Sequence, residues 1–415
     1  FVLGSAQTTI TSLLATDIKI GEDDQTKVDF ETANEIHFYA DNAQRLNLDA
    51  NSRISLSNND SGGTGGLNST SGNTVFGYLA GQSIDDGSHS NTFIGHGVSD
   101  ATMNDATNNV GVGSGAFSAL TSGDNNVAIG TSSGNAITSG GSNVSLGTNT
   151  LATATTCLNN TALGHNAMVN VKAGVAVDGC VAIGFESLYG NSSNDTNING
   201  TVAIGDSALK VLTTGARNIG LGYQSLVALT QGDDNIALGY DALGGLSTTD
   251  GSDKNIAIGS YAMNGVSSLA AADNIFIGYD AGGGTWANNA SGHNIGIGSY
   301  AMDAAMDDAW YNVGIGRNAL GQLTGSDTGT QGEHNTAVGT DAGNDLTTGT
   351  QCTILGSGAQ ASASGSANQT VIGYGAAGRA DNSVSLGNGS VTRVFCADDG
   401  GADISAGKLG LGLGQ

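Results

Sequence analysis

Apolar side chains in this chain come in pairs separated by one residue, and the pairs return at a nearly constant interval. Between residues 73 and 387 the unit is a pentad: Asn in thirteen of eighteen cases, then Val, Ile or Thr, then usually a small residue, then nearly always Ile, Leu or Val, then Gly. NVAIG (126–130), NIGLG (218–222), NIALG (235–239) and NIAIG (255–259) are examples among eighteen, with closing glycines 14 to 23 residues apart and most often 17. Alternation of period two predicts a short β-strand. Self-similarity near twenty residues predicts a solenoid, and helical repeats need more than about 30 residues per unit. The unit is therefore expected to be β. A second apolar patch follows each glycine, as in YQSL (223–226), YDAL (240–243) and RNAL (317–320). It reads as a second short strand.

Pentad position three is Gly, Ala or Ser in thirteen units. Placed on the outer face, so small a residue would let another backbone come close. A coil this thin buries little core alone, so the expectation is three coils about a shared axis, a homotrimer. The exceptions, Val75, Phe93, Phe276, Ile354 and Val371, would mark looser contacts between copies. Asn at position one (Asn126, Asn218, Asn235, Asn255) suits a left-handed turn residue bonding its own backbone, and could also bond its neighbours along the stack. Gly at position five (Gly130, Gly222, Gly239, Gly259) is expected at a corner with positive φ or close approach.

The flanks differ. Residues 1–16 form an N-terminal connector. Residues 17–57 carry the apolar pairs Ile18/Ile20, Val28/Phe30, Ile36/Phe38, Leu46/Leu48 and Ile54/Leu56, which predict a short intertwined β shaft. A Gly/Ser-rich linker occupies 58–72, the repeats occupy 73–387, and 388–415 reads as a strand and tail. The fold class is all-β: a repetitive β-solenoid preceded by the shaft.

Composition supports this. Glycine reaches 68 of 415 residues and proline is absent, which fits a chain that needs its backbone N–H groups for ladders. With 12 Lys and Arg against 37 Asp and Glu, the formal charge is −25. That excludes the basic footprint of a nucleic-acid binder. No apolar run approaches a membrane-spanning length. Cys157, Cys180, Cys352 and Cys396 show no metal-ligand spacing and read as free thiols, buried by preference. No cofactor or metal motif and no catalytic pattern emerges, so an enzyme is not expected.

Recognition is sought where the repeat is broken. The longest insertions are 165–179, 185–200, 240–254, 279–293 and 317–334. Loops on a rigid scaffold are favoured recognition sites. Both tryptophans fall in one neighbourhood, Trp286 and then Trp310 with Tyr311, near His293 and His334. These five are the candidate receptor-binding residues, against the alternative that each ring caps its own loop. Acidic pairs such as Asp233/Asp234 and Asp307/Asp308 read as solvated turns.

The motifs NNVAIG (125–130), NIALGYDAL (235–243) and NSVSLG (382–387) resemble the head repeats of trimeric autotransporter adhesins, which are left-handed parallel β-rolls. The longer unit, with LTTG or LTSG turns, is similar to bacteriophage tail-fibre repeats, as is GEDDQTKVDFETANEIHFYADNAQRLNLD (21–49). The resemblance implies a trimeric tail fibre on the virion, attached to other virion or tail proteins. Its loops would bind a host surface glycan or protein receptor. It also implies that a C-terminal chaperone has been cleaved off. The alternative it leaves is a bacterial cell-surface adhesin or extracellular filament subunit.

Overall fold

A computed structural model of the chain describes residues 27–29, 36–40, 43–48, 54–56, 72–85, 87–171, 177–190, 197–246, 252–266, 271–286, 291–325 and 331–394. The fold is all-β, and among the described residues there is no helix. The chain divides into two compact units, Phe1–Ala270 and Ala271–Gln415.

The first unit opens with four antiparallel strands, β1 (Lys27–Asp29), β2 (Ile36–Ala40), β3 (Ala43–Leu48) and β4 (Ile54–Leu56). Their register sets Val28 opposite Phe38, Phe38 opposite Leu46 and Leu46 opposite Leu56. Val28, Phe38, Leu46 and Leu56 of the expected pairs therefore share one row of the register, and Phe30 lies outside the described residues. Ile18/Ile20, the 1–16 connector, nearly all of the 58–72 linker and the tail from 395 lie outside the described residues.

The rest of the first unit is a parallel β-solenoid. Eleven three-residue strands, from Thr74–Phe76 to Ile256–Ile258, pair in parallel, each with the next. Like pentad positions lie side by side: Ala128 beside Ser145, Gly220 beside Ala237. The second unit repeats the plan with seven strands, from Ile275–Ile277 to Val384–Leu386.

The two faces of each strand are the reverse of the expectation. Position three points inward: Ala128, Ala162, Ala203, Ala237 and Ala257 are fully buried. The branched residues on either side point outward, and Ile129, Leu146 and Leu221 are 38%, 39% and 45% exposed. In most units the coil leaves room on the inner side of the strand only for a small side chain, Gly, Ala or Ser. Long side chains enter the core from the patch after the glycine, where Leu209, Leu226, Leu243, Met263, Met302 and Leu320 are buried. Phe93, Phe276, Ile354 and Val371 are buried too. They fill the interior rather than loosen an outer contact. Phe276 occupies space that its neighbours leave by lacking a side chain, since a Cβ at Gly282 or Gly296 would overlap its ring.

That second patch is not a strand. It is a turn in which alternate residues are left-handed, as at Gln224 (φ 55°) and Leu226 (φ 53°). A left-handed leucine costs on the order of 1–2 kcal/mol. Hydrogen bonds between turns offset that cost: Gln224 N–H donates to Asp206 O and Leu226 N–H to Ala242 O, both at 3.0 Å.

The pentad Asn is not left-handed either; the residue before it is, as at Asn125, Arg217, Asp234 and Lys254. The Asn side chains run as a buried ladder. Asn126 Nδ2 donates back to Asn109 Oδ1 at 3.1 Å and forward to Gly140 O at 2.9 Å. Asn235 Nδ2 does the same with Asn218 Oδ1 and Ser252 O. The corner glycine satisfies both expectations at once. Gly222 has φ 141°, and a Cβ there would overlap the carbonyl oxygen of Gly239 one turn on.

Candidate functional site

The left-handed residue before each ladder Asn is held by a hydrogen bond to the preceding turn and projects its side chain outward. In the second unit this position is filled successively by Asp273 (φ 58°), His293 (φ 57°), Tyr311 (φ 61°) and His334 (φ 58°). His293 N–H donates to Ala272 O, Tyr311 N–H to Gly292 O and His334 N–H to Trp310 O. Equivalent backbone geometry in successive turns places the side chains in one column.

Three of the four are aromatic, and they stack. The His293 and Tyr311 rings are 5.0 Å apart at 1°, and Tyr311 and His334 are 5.0 Å apart at 7°. Such parallel pairs contribute about 0.5–1.5 kcal/mol each beyond burial. Tyr311 remains 51% exposed. Asp273 approaches the first ring, with Oδ2 3.9 Å from His293 Nδ1.

Trp310 stands beside the column, tilted 44° to His293 and 42° to Tyr311. Its ring lies over Gly292, where a Cβ would meet Cζ3 at 2.6 Å. Its Nε1–H donates to Asp308 Oδ1 at 3.0 Å. Four of the five expected receptor-binding residues thus share one surface. Trp286 does not join them: it is 1% exposed and meets Phe276 edge-on at 5.8 Å and 69°. Burial of the indole in its own turn, the capping alternative, describes this residue.

The acidic pairs serve the turns. Asp233 Oδ1 accepts from Ala216 N–H at 2.7 Å, and Asp234 holds Arg217 through Nε and Nη2 at 2.6 and 2.9 Å. That pairing lowers the Asp234 carboxyl below its ordinary value. Among the described residues no three His, Cys, Asp or Glu side chains converge as a metal site would require. The tips of the insertions, 172–176, 191–196, 247–251, 287–290 and 326–330, lie outside the described residues.

Sequence reasoning missed two features. Lys210 pairs with Glu186 at 2.7 Å and stands 6.0 Å over the Tyr189 ring, in a shallow groove of about 380 Å³ that Asn170, Thr213 and Thr230 also line. Tyr223 and Tyr240, each directly after a corner glycine, stack at 5.2 Å and 11°. The phrase GY at 222–223 and 239–240 was the available signal for the second. Three cysteines, Cys157, Cys180 and Cys352, are buried free thiols. Cys180 and Cys352 take ladder positions, and the N–H of each donates to the Oδ1 of the preceding ladder Asn, Asn160 and Asn335.

No family model matches the chain, and no curated protein shows significant similarity to it.

Proposed function

We propose that the chain is a structural and adhesive fibre protein: a homotrimeric tail fibre of a bacteriophage virion, joined to other virion or tail proteins, that carries a receptor-binding surface to the host. The observation that carries this reading is the outward apolar face of each solenoid unit. In the first unit it includes Ile94, Ile129, Leu146, Leu163 and Leu221; in the second, Ile297, Ile315, Val338 and Ile372. Parallel sheets are found with both faces covered, and an apolar strip of this extent marks an interaction surface. A second and third copy of the same chain supply a cover of matching period. The copies then meet through branched side chains rather than through the small position-three residues.

Several identical binding surfaces on one assembly raise affinity without a deep pocket. No catalytic step belongs to this reading. The bacterial cell-surface adhesin or extracellular filament draws on the same face, and differs in where the protein is found.

Mass in solution tests the assembly. The native chain should sediment at three times 41.0 kDa, and a doubly substituted Ile129→Asp/Leu146→Asp chain should shift toward the monomer. A native monomer would sink the proposal. Immunogold labelling of virions then separates fibre from cell-surface adhesin.

A further inference from the structure

The stacked column in the second unit presents an unusual chemistry. Rings that bind sugars by stacking need a free face. Here the Tyr311 faces are taken by His293 and His334, each 5.0 Å away and nearly parallel. What Tyr311 leaves for a ligand is its ring edge, with the edges of His293 and His334 alongside it. An imidazole edge offers one donor and one acceptor, and a phenol edge offers both from one oxygen. Among the described residues, neither Tyr311 Oη nor the His334 ring nitrogens are engaged in a hydrogen bond. Asp273 lies at one end of the column and Asp308 beside Trp310, adding acceptors only.

We infer that the His293–Tyr311–His334 column is a binding strip for an uncharged linear polysaccharide lying across the turns, read through its hydroxyl groups. Three observations favour this ligand. The rings recur at 5.0 Å, about the spacing of neighbouring strands (~4.8 Å), so the polar edges form a regular one-dimensional repeat that a regular polymer of hydroxylated rings can follow. Mixed donors and acceptors match hydroxyl groups, which are both. The chain carries a formal charge of −25 with Asp273 and Asp308 at the strip, so an anionic polymer meets repulsion. The inference rests on the adhesive reading and specifies its ligand.

The test is retention on an array of linear oligosaccharides, one to eight sugars long, uncharged or carrying carboxylate or sulfate, with the full native chain as probe. Retention should rise with length up to about the span of the column, favour uncharged members, and fall about tenfold in Tyr311→Ala and in the double variant His293→Ala/His334→Ala. Tyr223→Ala, in another aromatic stack, controls for general loss of surface aromatics, and thermal melting confirms that each variant is folded. Retention that ignores length, prefers anionic sugars or survives Tyr311→Ala overturns the inference, while sugar binding of any kind keeps the adhesive reading alive. No retention of any sugar also overturns the inference, and the adhesive reading then stands or falls on a protein receptor.

Discussion

Asn235 Oδ1 accepts both the backbone N–H and the side-chain Nδ2–H of Asn255, each at 3.0 Å. One buried oxygen thus ties two successive turns twice, and every polar atom in the link has a partner. The ladder contributes through the cost of leaving such atoms alone: a buried donor or acceptor without a partner costs about 1–3 kcal/mol.

Asn235→Ala strands two donors on Asn255 and the carbonyl of Ser252. We expect a loss of several kcal/mol, roughly the sum of those penalties reduced by relaxation. Chemical denaturation of the variant beside the parent checks this. An unchanged midpoint would mean that the neighbouring turns re-pair without the ladder.

Gly222→Ala meets two obstacles, the φ of 141° and the Gly239 carbonyl. It should cost at least about 1–3 kcal/mol. Gly389→Ala is the comparison, because nothing lies within 4 Å of the added methyl and its φ is not in the left-handed region. Equal stability of the two variants would refute the close-approach explanation.

Burial raises the thiols of Cys157 and Cys180 to about 11 and raises Cys352 as well. Thiolate, the reactive form, is then scarce at pH 8. In a Cys396→Ser background, a thiol reagent should label no cysteine until denaturant is added. Rapid labelling of the native chain would contradict the burial.

Desolvation raises the Asp303 carboxyl, and the nearby charge of Asp280 raises it further. A carboxyl whose folded value lies above its unfolded value is penalised when ionised. Its contribution is most favourable below the unfolded value and is lost as pH rises through the folded one. Asp303→Asn should therefore raise the melting temperature at pH 7, with the gain shrinking as pH falls toward 4. A gain independent of pH would assign the effect to packing.

The strand–corner unit was legible because NVAIG carries both a period of two and a glycine that nothing else replaces. Which face turned inward was not. Val127, Ala128 and Ile129 alternate equally well either way, and the usual preference for burying branched residues pointed to the wrong side. The width of the coil decides, and width depends on how the next segment turns. That segment was misread for a related reason: SL and AL carry no mark of a left-handed leucine, since the conformation is imposed by hydrogen bonds from adjacent turns. The aromatic column could have been found from register alone, because His293, Tyr311 and His334 each directly precede a pentad Asn. Trp286 has no such alignment, and proximity in the chain grouped it with residues it does not meet.

The shared register of the turns has a consequence for how such a chain can change. Asn218 and Asn235 are seventeen residues apart and each follows a left-handed residue, Arg217 at φ 60° and Asp234 at φ 61°. Excising residues 218–234 would join Arg217 to Asn235 and lay the strand Ile236–Leu238 beside Val202–Ile204, with every rung still matched. Excising one residue from the strand Ile219–Leu221 would instead swing its branched side chains into a space sized for a small side chain. For this molecule the loss of a whole turn is the milder event, so heritable changes in length should fall either as whole repeats or in the loops between strands, where the spacing of closing glycines already varies from 14 to 23 residues, and not within the strands.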